Sequence, residues 1–290
     1  MTVIRRRLVP YFLLGPGLIW LILFFVVPMY FMGRVSLEEG SAISGEYDFT
    51  WHFANFTDTL SEFDTQFLRS FLYAGVATIL ALVIAYPLAY MIAFRAGRFK
   101  NALLFAVIAP FFTTYLIRTL AWQTILGDTG VVVDTLKTIG LVSESGRVLD
   151  TAGSVIAGLT YNFLPFMILP IYASLERIDE SLIEAAKDLY ASAREAFWKV
   201  TLPISAPGIV AGTLLTFIPA VGDYINADFL GGPNQAMIGN VVQSQYLVVR
   251  NYPSAAALSF VLMALIFIIV VIYIRFAGSE ALMGEEARKT

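Results

Sequence analysis

Two ionisable side chains stand inside long apolar stretches of the sequence, where a charge is costly and usually faces a cavity or a partner. Asp223 lies in the run Ile204–Leu230, and Arg118 lies in Ala102–Leu126. At about 1.5 Å of rise per helical residue, the two charges reach a similar depth. A carboxylate there suits an ammonium group, so Asp223 is a candidate for conducting a cationic solute. The alternative is that the two charges pair with each other or support an outer gate.

Uncharged polar and aromatic residues lie near these charges. Asn162, with Tyr161 beside it, falls near the middle of Ala152–Leu175 and could line a path or form an interhelical hydrogen bond. Tyr115 and Tyr224 could be aromatic walls for an alkylammonium group or members of an interfacial belt. The candidate translocation path therefore comprises Asp223, Tyr224, Asn162, Tyr161, Tyr115 and Arg118.

The sequence offers no set of residues suited to catalysis. Gly153–Thr160 has the spacing of a phosphate-binding loop, but Leu159 occupies the position that the loop's lysine requires. The chain has no cysteine, and its single histidine, His52, falls in a polar loop. We therefore expect a chain that is not an enzyme, has no catalytic residues, and binds no metal or cofactor itself.

These residues must be positioned by membrane helices. The chain is 58% hydrophobic and 14% charged, which is too apolar for an ordinary soluble domain. Each long apolar run can cross a hydrocarbon core about 30 Å thick, and none alternates as a barrel strand does. The first run lacks the small-residue cleavage site of a signal peptide. We predict an all-α polytopic membrane protein with six transmembrane helices, at Tyr11–Met32, Phe71–Phe94, Ala102–Leu126, Ala152–Leu175, Ile204–Leu230 and Ala255–Ile274.

The loops between these runs differ in charge. Thirteen of the nineteen Lys and Arg residues lie at the two termini and in the second and fourth loops. By the positive-inside rule, both termini and the fourth loop are cytoplasmic. The first, third and fifth loops are rich in acidic residues, which would gather cations weakly or simply keep that face soluble.

The fourth loop contains a polar segment, Glu184–Pro203, between two apolar runs. Apolar residues at near-helical spacing predict a first helix over Glu176–Leu189, capped by Asp179 or Ser181. A second short helix, Ala193–Thr201, is predicted to end before Pro203. Taken alone, the segment is either a connector lying on the surface or a surface on which another protein docks.

The amino-acid sequence of this segment resembles the EAA loop of ABC-importer permeases, which are the inner-membrane components of binding-protein-dependent transport systems. Tyr190 departs from the pattern, which has glycine at this hinge to permit a left-handed turn. The resemblance implies a type I permease fold with an accessory first helix and outer loop (1–67), a five-helix core (68–276) with coupling helices at 177–203, and a cytoplasmic tail (277–290). It also implies an ATPase-coupling surface made by Glu184, Ala185, Ala186, Asp188, Tyr190, Leu202 and Pro203.

Within that family, the stretch Phe217–Pro253 is most similar to the spermidine/putrescine permeases. The resemblance implies a polyamine substrate, a second permease subunit in a heterodimeric pore, two ATPase subunits that hold ATP and Mg, and an extracytoplasmic solute-binding protein. The resemblance also implies that the chain lies in the bacterial inner membrane in contact with lipid, and that it has no nucleic-acid partner. The alternatives are a permease for another small solute, such as an amino acid derivative, thiamine, iron or a phosphonate, or a secondary transporter working alone.

Overall fold

A computed structural model describes residues 14–41, 45–140 and 142–277. The cytoplasmic tail that the sequence predicts lies outside the described residues from 278 onward, and so does the basic N-terminal stretch. The helices, in chain order, are α1 Leu14–Val35, α2 Ala54–Glu62, α3 Asp64–Phe94, α4 Lys100–Ile108, α5 Tyr115–Ile125, α6 Val131–Thr138, α7 Ala152–Glu176, α8 Glu180–Asp188, α9 Ala193–Val221, α10 Ile225–Leu230, α11 Ile238–Ser244 and α12 Tyr252–Ala277.

The all-α membrane fold is confirmed. Five described helices are long and apolar enough to cross a membrane, namely α1, α3, α7, α9 and α12. The third predicted run is instead a pair of helical segments, Gly97–Phe112 and Tyr115–Ile125, bent by 94°. The bend follows Pro110, and Thr113 and Thr114 between the segments are extended, which interrupts the helical hydrogen bonds. If the bent pair counts as one span, the part of the chain that the structure describes has up to six.

The chain divides into two compact units, of which the first contains the described residues up to Asp64 together with Val242–Ala264. Its strands β1 (Glu38–Ser41) and β2 (Glu46–Phe49) form an antiparallel hairpin with Glu38 opposite Phe49. The hydroxyl of Tyr47 donates to the carbonyl of Arg250 at 2.8 Å, which ties the hairpin to the turn before α12. The hairpin lies in a loop for which the sequence shows no strong periodicity.

The second unit contains the described residues of Thr65–Val241 and those from Leu265 to Ala277. Its core is formed by the alanine-rich face of α3, where Ala81, Ala85 and Ala89 are fully buried, against Met167, Ile168 and other apolar side chains of α7. Alanine at every fourth position keeps this face of α3 flat, so the larger α7 side chains can fill the space. The predicted division of the chain by role into 1–67, 68–276 and 277–290 stays a prediction.

Glycines let α9 approach α7 closely. A Cβ atom at Gly208 would lie 2.5 Å from the carbonyl oxygen of Pro170, and one at Gly212 would lie 2.9 Å from the sulfur of Met167. Both distances are too short for any larger residue, so this small-xxx-small face sets how near the two helices lie. The helix that connects the polar segment to Asp223 is therefore packed along the core of the unit.

The second helix of the polar segment does not stop before Pro203, so that prediction is wrong. It continues as α9 from Ala193 to Val221, with a π-helical turn at Phe197–Thr201. Pro203 falls in the first turn after this wider turn, where a residue without an N–H group is tolerated. The result is one helix of about 43 Å, at 1.5 Å per residue, that begins in the polar segment.

Candidate translocation and coupling sites

Asp223 lies just past the end of α9 rather than inside a continuous helix. The predicted run Ile204–Leu230 breaks at Gly222, which ends α9, and α10 begins at Ile225. The break is stabilised by Asp223 itself, whose Oδ1 accepts a hydrogen bond from the backbone N–H of Asn226 at 2.8 Å. This capping geometry places a carboxylate, 9% exposed, in a gap between two helix ends.

Two neutral side chains donate to the Asp223 carboxylate. The hydroxyl of Tyr115 donates to Oδ2 at 2.5 Å, and the amide nitrogen of Asn226 donates to Oδ1 at 3.2 Å. The described residues form no ion pair with Asp223. The carboxylate is thus oriented by hydrogen bonds while its charge is not neutralised by a basic side chain.

Asn226, which no sequence pattern singled out, lies at the centre of this network. Its amide nitrogen also donates to the Tyr115 hydroxyl, and its Oδ1 accepts from Nδ2 of Asn162 at 3.0 Å. Asn162 reaches the hydroxyl of Thr119 at 3.3 Å as well. Asn226 is fully buried, and a Cβ at Gly158 would come within 2.6 Å of its Oδ1. The spacing of Asp223 and Asn226 was a usable signal, because a capping aspartate accepts from the residue three positions on.

Tyr224 belongs to the same break but points elsewhere. Its side chain is 40% exposed, and its carbonyl accepts from Nδ2 of Asn240 at 3.0 Å. A Cβ at Gly239 would lie 2.5 Å from the carbonyl oxygen of Gly222, so α11 lies directly against the break. The start of α11 therefore packs against the backbone at Asp223 and fixes its position.

Arg118 does not form an ion pair with Asp223. Its guanidinium carbon lies 4.4 Å from the centre of the Phe111 ring and 5.6 Å from that of Tyr115. Tyr161 packs edge-on against Trp122, with ring centres 5.3 Å apart, and lines the same apolar cavity as Arg118. The structure thus brings Asp223, Tyr115 and Asn162 together and places Arg118 and Tyr161 beside a different space.

The predicted coupling helices at 177–203, called the coupling segment below, begin with α8. Of the two predicted caps it is Asp179 that caps the helix, accepting from the N–H of Ser181 at 2.9 Å. This hydrogen bond holds the pKa of the Asp179 carboxyl below its usual value. Ile183 packs inward against the core of the unit, whereas Leu182 and Leu189 are 48% and 81% exposed. An apolar face of α8 is therefore left open.

Most of the residues predicted to couple to an ATPase are exposed. Glu184, Ala185 and Asp188 are exposed and Ala186 is half-buried. Leu202 is half-buried and Pro203 is exposed at the start of the straight part of α9. Ser192 and Glu195 form a capping box that starts α9 directly after the hinge. The segment is thus two capped helices joined by a turn of about three residues.

Tyr190 occupies this turn in the left-handed conformation, with φ of 64°, and its side chain is 97% exposed. A left-handed conformation costs a residue other than glycine roughly 1–2 kcal/mol. The turn required at the family's glycine position is therefore made here by a tyrosine whose ring forms almost no packing contacts.

We expect Tyr190→Gly to stabilise the hinge by about 1 kcal/mol, because glycine adopts this conformation freely and little packing is lost. Amide hydrogen exchange of residues 180–192 should slow by roughly fivefold, since 1.4 kcal/mol corresponds to tenfold. Tyr190→Ala removes the same ring but keeps the strained conformation, so it should leave exchange nearly unchanged. Equal slowing of amide exchange in both variants would contradict the prediction that the left-handed backbone of Tyr190 is strained.

Among the residues that the structure describes, no three or more His, Asp and Glu side chains are arranged to hold a metal ion. The conspicuous features are a buried, oriented carboxylate at one end of α9 and an exposed helical hairpin at the other.

Comparison with known proteins identifies the class. Residues 85–278 match the family of binding-protein-dependent transport system inner membrane components, and the chain belongs to that family. It is 38% identical over 259 residues to the spermidine/putrescine transport system permease protein PotB of Haemophilus influenzae, covering 88% of this chain and 90% of the relative. It is 35% identical over 258 residues to PotB of Escherichia coli, covering 88% and 93%.

Two solved structures share the fold. One is a bacterial ABC transporter involved in the import of the acidic polysaccharide alginate, with a TM-score of 0.68, 20% identity, and coverage of 94% of this chain and 96% of that one. The other is the MetNI methionine ABC transporter in an inward-facing conformation, with a TM-score of 0.52, 21% identity, and coverage of 73% and 93%. The type I permease fold that the sequence predicts is confirmed.

Proposed function

We propose that this chain is the permease subunit of a polyamine importer, and that it forms part of the path taken by spermidine or putrescine. The observation that carries the proposal is the Asp223 carboxylate, which is buried and held by the neutral groups of Tyr115 and Asn226. An alkylammonium group that enters the gap would supply the missing positive charge. The relatives that share 35–38% identity are named for the same class of solute.

The path that we propose uses the polar network rather than every predicted residue. Asp223 contacts the ammonium group, while Asn226, Tyr115 and Asn162 hold the carboxylate in place. Tyr224 is the residue next to Asp223 in the break, and its half-exposed side chain is a further candidate for contact with the solute. Arg118 carries the same charge as the solute and faces an apolar cavity with Tyr161, so we place both outside the contact set.

The chain itself performs no hydrolysis in this proposal. A second, different permease subunit completes the pore, two ATPase subunits hold ATP and Mg, and a solute-binding protein delivers the polyamine. Both termini and the coupling segment face the cytoplasm of a bacterium, as the distribution of basic residues indicates. The exposed Leu182, Ala185 and Leu189 on one side of α8 support docking to an ATPase subunit.

Coupling follows from the continuity of α9. The capping box at Ser192 and the Asp223 break are the two ends of one helix, Ala193–Val221. A displacement of the coupling segment by the ATPase is therefore carried along the helix axis to the backbone that holds the carboxylate. The π turn at Phe197–Thr201 supplies a local irregularity at which the helix can adjust.

Uptake of radiolabelled spermidine and putrescine tests the function. A bacterial strain that lacks this chain should lose uptake of both, and the wild-type chain should restore it. Uptake of methionine in the same cells serves as the control and should not change. Normal polyamine uptake without the chain, in a strain with no second polyamine importer, would contradict the proposal.

A further inference from the structure

An apolar cavity lies in the second unit, and its lining does not include Asp223, Tyr115, Asn162 or Asn226. Its volume is about 290 Å³, and its walls include Leu103, Ala106, Val107 and Phe111. That size is near the lower end of the roughly 300–1,000 Å³ typical of ligand pockets. Water in such a space needs two to four polar partners, and these walls offer hardly any. The cavity therefore favours an apolar occupant.

A single charged side chain, Arg118, lines this cavity. It is 9% exposed, and its Nε and Nη1 atoms are buried without a hydrogen-bond acceptor. Its contacts with the faces of Phe111 and Tyr115 leave the N–H groups unsatisfied. A buried charge without a partner is strongly destabilising, and guanidinium binds carboxylates and phosphates in preference to other groups. The buried guanidinium is therefore suited to bind an anion.

Taken together, these observations define an amphiphilic ligand. We propose that the cavity binds an anionic phospholipid, with one acyl chain against the apolar walls and the phosphate on the Arg118 guanidinium. Phe105 and Phe112, on the segment that lines the cavity, are 64% and 80% exposed, so an apolar surface adjoins the cavity. No hydrogen bond holds Nε or Nη1, so no described acceptor competes with the phosphate for these two atoms.

Lipid binding to the assembled transporter in a non-ionic detergent tests this site. Phosphatidylglycerol, phosphatidylcholine with the same acyl chains, and glycerol phosphate are titrated and followed by native mass spectrometry. Phosphatidylglycerol should bind at least about tenfold more tightly than phosphatidylcholine. Both lipids carry the phosphate, but phosphatidylcholine also brings a trimethylammonium group, whose positive charge the buried guanidinium repels. Glycerol phosphate should bind far more weakly than either lipid. Equal binding of the two lipids, or full binding of glycerol phosphate, overturns the proposal.

Variants assign the preference to this cavity. Arg118→Met should bring the ratio between the two lipids close to one, and Arg118→Lys should keep most of it. Ala106→Trp, which fills the cavity, should also abolish the preference. Arg98→Met removes an exposed charge outside the cavity and should change nothing. The Lys and Trp variants decide the matter if the Met variant fails to fold.

Two outcomes count against the site. A preference that persists in both Arg118→Met and Ala106→Trp places the lipid elsewhere. A preference that Arg98→Met abolishes as well as Arg118→Met shows that the lipid responds to the net charge of the chain rather than to this cavity. Binding is measured without transport, so these results do not depend on the identity of the solute.

Discussion

Asp223→Asn is expected to lower polyamine uptake by about 10- to 100-fold at low solute concentration. The substitution removes a charge-assisted hydrogen bond to an ammonium group, which contributes about 1.5–3 kcal/mol, and 1.4 kcal/mol corresponds to tenfold in binding. Asparagine fits the site, because its Oδ1 can still accept from the Asn226 N–H and its amide can donate to the Tyr115 hydroxyl. The loss should therefore reflect the charge rather than a collapse of the helix break.

Asp228→Asn is the matched control for this variant. Asp228 lies on the next helix, α10, carries the same charge and is exposed, with its carboxylate bonded to Asn240. Its removal should change uptake by less than about threefold, since exposed charges interact weakly. Both variants are compared at equal amounts of protein in the membrane. Unchanged uptake in Asp223→Asn, or an equal loss in both, would show that the carboxylate does not contact the solute.

The membrane class, the approximate spans and the two-helix polar segment could all be predicted from the sequence. Their signals are local, since they depend on the length of apolar runs and on the distribution of charge. The failures occur where apolar composition hides a break. Ile204–Leu230 reads as one span, yet Gly222 and the cap formed by Asp223 divide it. The opposite error occurred at Pro203, where a π turn lets the helix continue.

The candidate site could be predicted in part. A carboxylate in an apolar run is conspicuous, so Asp223 was found, and Tyr115 and Asn162 were found from their types and depth. Asn226 was missed, although it is the group that joins those three. Asn226 is important because of the way α5, α7 and α10 pack together. The residue pattern of a single helix does not predict which side chains of other helices it contacts. The same limit applied to Arg118, whose surroundings became evident only from packing.

Charge reversal in the coupling segment is expected to have the second large effect. Glu184→Arg should reduce the stimulation of ATPase activity by solute and binding protein by at least about tenfold. Glu184 is exposed beside the open apolar face of α8, so a charge of the wrong sign would enter the proposed interface with the ATPase, and such mismatches cost several kcal/mol. Because α9 continues from this segment to Asp223, weakened docking should also abolish uptake while leaving solute binding to the binding protein intact.

The comparison uses Glu144→Arg, the same substitution at an exposed position in the loop between α6 and α7. That variant should retain stimulation within about twofold and control for insertion and folding. Co-purification of the ATPase subunits in mild detergent separates two mechanisms for the Glu184 variant. If the ATPase subunits no longer co-purify, docking has failed. If they co-purify but solute does not stimulate them, the ATPase still binds this chain but its conformational change is not transmitted. Normal stimulation of ATPase activity in Glu184→Arg would mean that the ATPase subunits bind this chain through another surface.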